Sequence, residues 1–153
     1  MNRIIEGGCL CGAVRYRCTS EPLVRSLCHC RTCRRTAGAP SVAWVIFRSS
    51  DFAFSAGEPM HHRSSPQVQR TFCGQCGTPL TYQRNAESDT IDATTASLDY
   101  PDEFPPTREI WISHKLAWES LNPSMQAYPE SSRQSQSASA TEDRAVDIRR
   151  TGE

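Results

Sequence analysis

An all-β fold of short strands follows from three observations on this 153-residue chain. Apolar residues come in short alternating or continuous runs punctuated by glycine and proline, the pattern of strands and turns. No long segment carries the periodicity of an amphipathic helix. Seven of the eight cysteines stand in three tight groups: Cys9 and Cys11 (CLC), Cys28, Cys30 and Cys33 (CHCRTC), and Cys73 and Cys76 (CGQC). Thiols one or two residues apart suit a shared tetrahedral metal better than a disulfide framework, so the fold is read as stapled by metal knuckles.

The elements follow in order. Ala13 to Cys18 alternates, with Val14, Tyr16 and Cys18 on one face and Arg15 and Arg17 on the other, which predicts a half-buried strand. Glu21-Pro22 turns the chain into a second strand, Leu23 to Leu27. Arg31 to Thr36 is polar and compact and predicts a helical turn ending at Gly38. Ser41 to Phe47 (SVAWVIF) is nearly all apolar and is the best core strand. Asp51 to Ser55 places Phe52 and Phe54 on one face, and Gly57-Glu58-Pro59 turns into Met60 to Arg63. Gln67 to Phe72 runs into the CGQCG knuckle, and Pro79 to Gln83 and Thr90 to Ala96 read as strands. Tyr100 to Pro106 is a proline-rich loop, Glu109 to Ser113 (EIWIS) is the last expected strand, and Trp118 is expected to pack behind it. Both paired knuckles end in Cys-Gly, where glycine permits a tight backbone turn over a metal.

Residues 1–128 are read as one zinc-binding domain, and residues 129–153 as a disordered Ser/Gln-rich polar tail. Beyond Pro129 there is no aromatic residue, and only Val146 and Ile148 are large and apolar, too little to offset the entropy of ordering. Hydrophobic residues make up 37% of the chain, below the about 45–50% of a globular domain; metal staples answer that shortage. The formal net charge is +0, which gives no basic field for nucleic acid or an anionic membrane. No apolar run approaches the roughly 20 residues of a membrane span. The N-terminal MNRIIEGGCLCG lacks a secretory h-region, so a cytoplasmic protein in a reducing compartment is expected.

The ligand arithmetic separates two kinds of site. Two cysteine pairs make four ligands, a closed structural site; one triplet leaves a coordination position open, as catalytic zinc sites do. The segments GGCLCGAVRY, CHCRTCRRTAGAP, RTFCGQCGTPLTY and TASLDYP, in that order, resemble the glutathione-dependent formaldehyde-activating enzyme family, which includes the centromere protein V relatives. The resemblance spans roughly Gly7 to Trp118. It implies a β-tent fold of short antiparallel strands, two zinc ions per chain and carbon–sulfur lyase activity on a glutathione–formaldehyde or similar thiol–aldehyde adduct. It implies Cys9, Cys11, Cys73 and Cys76 as structural zinc ligands, and Cys28, Cys30 and Cys33 as ligands of the second, catalytic zinc. One departure stands out: many members carry a histidine before the isoleucine of the last strand, where this chain has Arg108-Glu109 before Ile110. His114 is not a convincing substitute.

The remaining candidates are weighed against plainer roles. His29, His61 and His62 could close the triplet site as a fourth ligand; His29 is the weaker for lying between two ligands, and His61 and His62 read more simply as solvent-facing strand residues. His62 is the only guess at an acid or base. A three-thiolate zinc favours sulfur ligands over water activation, so thiol chemistry is expected over hydrolysis. Glutathione carries two carboxylates, and Arg31, Arg34, Arg35 and Arg70 are candidate anchors, or simply balance thiolate charge. Cys18 is read as a small buried hydrophobe, Trp44, Trp111 and Trp118 as core, and Asp99 as a turn cap. Two rival functions stay open. One is a non-catalytic zinc-binding module that recruits a protein; the other, chromatin association, is disfavoured by the neutral charge. The exposed edges of a small β-fold leave a homodimer open.

Overall fold

The computed structural model describes residues 3–85 and 88–132. Two sheets form the body. The small one has the order β1-β2-β5, from Ile5–Gly8, Arg15–Cys18 and Phe52–Ala56. The large one has eight strands in the order β11-β10-β3-β4-β9-β8-β7-β6. These are β3 (Val24–Cys28), β4 (Val42–Arg48), β6 (Met60–Ser65), β7 (Val68–Phe72), β8 (Pro79–Gln83), β9 (Thr90–Thr94), β10 (Arg108–Ile110) and β11 (Gln126–Ala127). Among the described residues the one α-helix, α1, runs over Arg31–Ala37 and ends on Gly38 in the left-handed region.

The near-continuous apolar run of β4 has a simple cause. Side chains alternate across a strand, and β4 is covered on both faces. Val45 and Phe47 join a core with Val14, Tyr16, Cys18, Leu80, Ile91 and Ala93, under the small sheet. Trp44 and Ile46 point the other way, into a second core with Cys28, Cys33 and Val42. The two cores therefore lie on opposite faces of the large sheet. Tyr16 is the pivot of the first. Its ring stacks on Phe52 at 5.1 Å and meets Phe54 edge-on at 6.5 Å, and its hydroxyl lies 2.7 Å from Ser97 Oγ. Burial pushes the Tyr16 phenol above its ordinary range. Cys18 is fully buried beside it, as its strand face required.

Among the described residues every strand pairing is antiparallel except those of β10, which runs parallel to both β3 and β11. Antiparallel pairing thus fails at this end of the sheet. The last expected strand also stops early, because Trp111 takes φ 58 and turns the chain away. The amides of Trp111, Ile112 and Ser113 then donate to the carbonyls of Glu130, Tyr128 and Pro129. Trp118 falls beyond this turn and is 70% exposed, so it does not pack behind the strand. Most of the expected polar tail lies outside the described residues.

Asp99, expected as a turn cap, is found paired with Arg15. It accepts two hydrogen bonds from the Arg15 guanidinium, at 2.8 and 2.5 Å, tying β2 to the segment after β9. Those bonds hold its carboxyl below the ordinary carboxylate range. Both side chains are 34% exposed, so Arg15→Met is expected to cost only ~0.2–1 kcal/mol at neutral pH. A lowered folded-state pKa makes this contribution present above the unfolded-state value and lost as pH falls through the folded one. Denaturant titrations of native and variant protein should therefore differ at pH 7 and converge in acid.

Candidate metal centres

Two matching knuckles build the first centre. In one, the Gly12 amide donates to Cys9 O at 3.0 Å; in the other, the Gly77 amide donates to Cys73 O at 2.9 Å. Gly12 and Gly77 have φ 77 and 78, the left-handed backbone that glycine adopts without steric cost. Each turn aims amides at sulfur. Val14 N–H lies 3.2 Å from Cys9 Sγ, and Gln75 N–H and Cys76 N–H lie 3.4 and 3.5 Å from Cys73 Sγ. Thr78 links the knuckles, its Oγ1 accepting from Leu10 N–H at 3.1 Å and sitting 3.1 Å from Cys76 Sγ. Hydrogen bonds from the Thr78 hydroxyl and then the backbone bring the Cys76 thiol down to about 5.

The ligand atoms of Cys9, Cys11, Cys73 and Cys76 all lie within 4.8 Å of one another. Cys11 Sγ is 3.6 Å from Cys9 Sγ and 3.7 Å from Cys73 Sγ. A tetrahedron with metal–sulfur bonds of about 2.3 Å has edges of roughly 3.8 Å. Four thiols at that spacing, with amide donors already turned toward them, fit a closed four-sulfur metal site.

The second centre sits on the opposite face of the large sheet. Cys28 ends β3, and Cys30 and Cys33 open α1. Cys30 is the helix N-cap, its Sγ accepting from Cys33 N–H at 3.2 Å. The three Sγ atoms lie within 4.8 Å of one another. Among the described residues no histidine, carboxylate or further cysteine joins that group. Hydrogen bonds from the Cys28 and Cys30 thiols, and then the charge of Arg70, hold the Cys33 thiol well below the ordinary cysteine range against the effect of burial.

The expected histidine candidates divide clearly. His29 is fully buried and turns to Glu109, with Nε2 3.1 Å from Oε1. The other Glu109 oxygen accepts from Asn122 N–H at 3.0 Å. His61 and His62 are exposed on β6, and His61 Nδ1 meets Gln69 Nε2 at 2.5 Å. His114 stacks on Trp111, ring centroids 5.2 Å apart. Burial, then the charges of Arg31 and Arg34, lower its pKa.

The arginines divide as well. Arg31 and Arg35 are exposed on α1, and Arg34 Nε donates to His29 O at 3.2 Å. Arg70 is buried, and its Nη2 lies 3.7 Å from Cys33 Sγ. Sequence reasoning did not single out Glu109 or Tyr82, the latter with its ring 4.9 Å from the Arg70 guanidinium. One signal was available: Arg70 shares strand phase with Val68 and Phe72, where an unpartnered charge would be costly.

Comparisons with known proteins bear on both centres. The family described as glutathione-dependent formaldehyde-activating enzyme matches residues 4–114. An uncharacterized lyase of Schizosaccharomyces pombe is 30% identical over 113 residues, which cover 63% of this chain and 81% of that protein. A Halomonas elongata protein named for glutathione-dependent formaldehyde activation is 28% identical over 126 residues, covering 75% of this chain and 79% of its own. In fold, a Rhodobacter sphaeroides protein of known crystal structure aligns at a TM-score of 0.54 and 20% identity, covering 80% of this chain and 98% of that one. The family match takes in all seven clustered cysteines and both knuckles, and on that ground the chain belongs to the glutathione-dependent formaldehyde-activating enzyme family.

Proposed function

We propose that the protein is a zinc-dependent carbon–sulfur lyase acting on a glutathione–formaldehyde or similar thiol–aldehyde adduct at the Cys28, Cys30, Cys33 site. The observation that carries this reading is the three-sulfur group, which no fourth protein ligand joins among the described residues. His29, the histidine nearest in sequence, is not part of that group and sets its Nε2 3.1 Å from Glu109 Oε1. In this reading Cys9, Cys11, Cys73 and Cys76 hold a structural zinc, which makes two zinc ions per chain. A zinc ion at the triplet supplies an open position for a substrate sulfur and lowers that thiol's affinity for its proton.

The chain's own residues do the rest. Cys28 and Cys33 are buried, 4% and 5% exposed, and Trp44 and Ile46 pack behind them, so the sulfur face meets substrate in a partly dry setting. In the lyase direction the adduct hydroxyl loses a proton and the carbon–sulfur bond breaks. Its electron pair stays on sulfur, and the carbon becomes the aldehyde carbonyl. The reverse step joins the same atoms. Arg31 and Arg35, exposed on the helix that carries two of the sulfurs, are free to meet the carboxylates of a glutathione-like thiol. Glutathione chemistry suits a cytoplasmic site, and the +0 charge gives no basis for a nucleic-acid partner. No helix among the described residues is long and apolar enough to cross a membrane.

The test is exchange between glutathione, formaldehyde and their adduct at equilibrium, followed by NMR magnetisation transfer. Native protein loaded with zinc should accelerate exchange, and a folded Cys28→Ser/Cys30→Ser variant should not. No acceleration by the native protein with both sites filled, or equal acceleration by the variant, would overturn the assignment.

A further inference from the structure

Arg70 stands apart from every other arginine near the second centre. It projects from β7 and is 8% exposed. Its guanidinium is held on four sides. Nε donates to Ser64 Oγ at 3.1 Å, and Nη1 reaches Thr36 Oγ1 at 3.5 Å. Nη2 lies 3.7 Å from Cys33 Sγ. The carbon at its centre sits 4.9 Å from the Tyr82 ring centroid, and Tyr82 is its cross-strand partner in the β7–β8 pairing. A guanidinium this buried is not free to reach out to a substrate carboxylate. It is instead fixed with one nitrogen on a sulfur of the triplet.

The charge count explains why a cation belongs there. Three thiolates around a divalent ion sum to −1, and a fourth, anionic sulfur would take the set to −2 in a partly buried pocket. A fixed +1 charge in contact with one thiolate brings those totals to 0 and −1. It discriminates between incoming donors, because the electrostatic benefit goes to an anionic donor and not to a neutral one. We propose that Arg70 is a specificity-determining residue of the triplet site: by offsetting the charge of the Cys28, Cys30, Cys33 set, it makes the open position favour a thiolate over neutral donors such as imidazole. The inference rests on the open-site reading given above and names what selects the ligand there.

The experiment uses the full chain with cobalt(II) in the metal sites and reads sulfur-to-cobalt charge-transfer and d–d absorption, independent of turnover. Glutathione and 2-mercaptoethanol serve as thiol probes and imidazole as the neutral probe. Arg70→Met and Arg70→Gln are expected to weaken thiol binding about 10–100-fold, the range for losing a partner of a metal ligand. Imidazole affinity should change by less than about threefold on the same reasoning. Arg70→Lys keeps the charge, though not the planar fork over Tyr82, and on the charge argument should hold thiol affinity to within about threefold of native. Equal thiol affinity in native and neutral variants would overturn the proposal, as would parallel loss of thiol and imidazole binding, the mark of a merely structural role. If neither neutral variant folds, Arg70→Lys decides: near-native thiol affinity supports the proposal and a tenfold loss overturns it. A native protein whose cobalt spectrum ignores every thiol would instead refute the open site itself, and this inference with it.

Discussion

Cys9→Ser is expected to leave the protein unfolded or insoluble when expressed, with its metal content lost from the first centre. Cys9 is 7% exposed and Cys73 1%, so both sulfurs belong to the main core as well as to the knuckles. Without a metal, four thiols whose separations fall as low as 3.6 Å must coexist in a partly buried space. A structural zinc contributes an apparent ~10–16 kcal/mol, whereas the whole stability of a domain is ~5–15 kcal/mol. The two ranges overlap, so weakening the site by one ligand takes away energy on the scale of the whole margin for folding. The centre also joins residues 62 positions apart, and closing that loop is entropically costly without a bond across it. Circular dichroism melts with metal analysis would check this. A Cys9→Ser protein that melts cooperatively near the native temperature and keeps its full metal content would refute the structural role.

Glu109→Ala should be the most damaging change away from the cysteines. Glu109 is 1% exposed and bridges His29 and Asn122. His29 Nδ1 already has no hydrogen-bond partner. Deleting the carboxylate would strand His29 Nε2 and the Asn122 amide as well, at ~1–3 kcal/mol each, and leave a void. The two stranded groups give an expected loss of ~2–6 kcal/mol, and a Tm lower by on the order of 10 °C. Glu109→Gln keeps an acceptor for Asn122 and should lose roughly 1.5–3 kcal/mol. Thermal melts of the metal-loaded proteins decide the matter; an Ala variant within 1 °C of native would show that the bridge contributes nothing.

The cysteine pattern made the two candidate metal groups legible because ligand spacing is a local property. CLC and CGQC turn sharply on Gly12 and Gly77, and each turn can be read without knowing its partner. The core strand was legible for a related reason. Val42 to Phe47 is apolar on both faces, and only a strand covered on both sides needs that. What escaped depends on distant partners. The parallel pairing of β10 with β3 brings Glu109 opposite Leu27, and nothing in REIWIS announces that neighbour. Strand β11 consists of exposed residues held through backbone bonds, so its side chains carry no periodic signal. Trp118 misled because a tryptophan in a half-apolar segment resembles core, while the left-handed turn at Trp111 had no glycine to mark it.

The knuckle that joins Cys11 to Cys73 also sets a schedule for synthesis. A ribosome adding about 5–20 residues per second needs roughly 3–12 s to bridge that interval. During it, Cys9 and Cys11 wait for the second half of their site while Cys18 and the three thiols of the second centre emerge. Six cysteine sulfurs are then present on one nascent chain, able to capture a metal in the wrong combination or to oxidise. Correct assembly therefore depends on the thiol redox poise and metal supply around the ribosome during those seconds. Expression yield should respond to zinc present during translation more strongly than to zinc added to the finished chain.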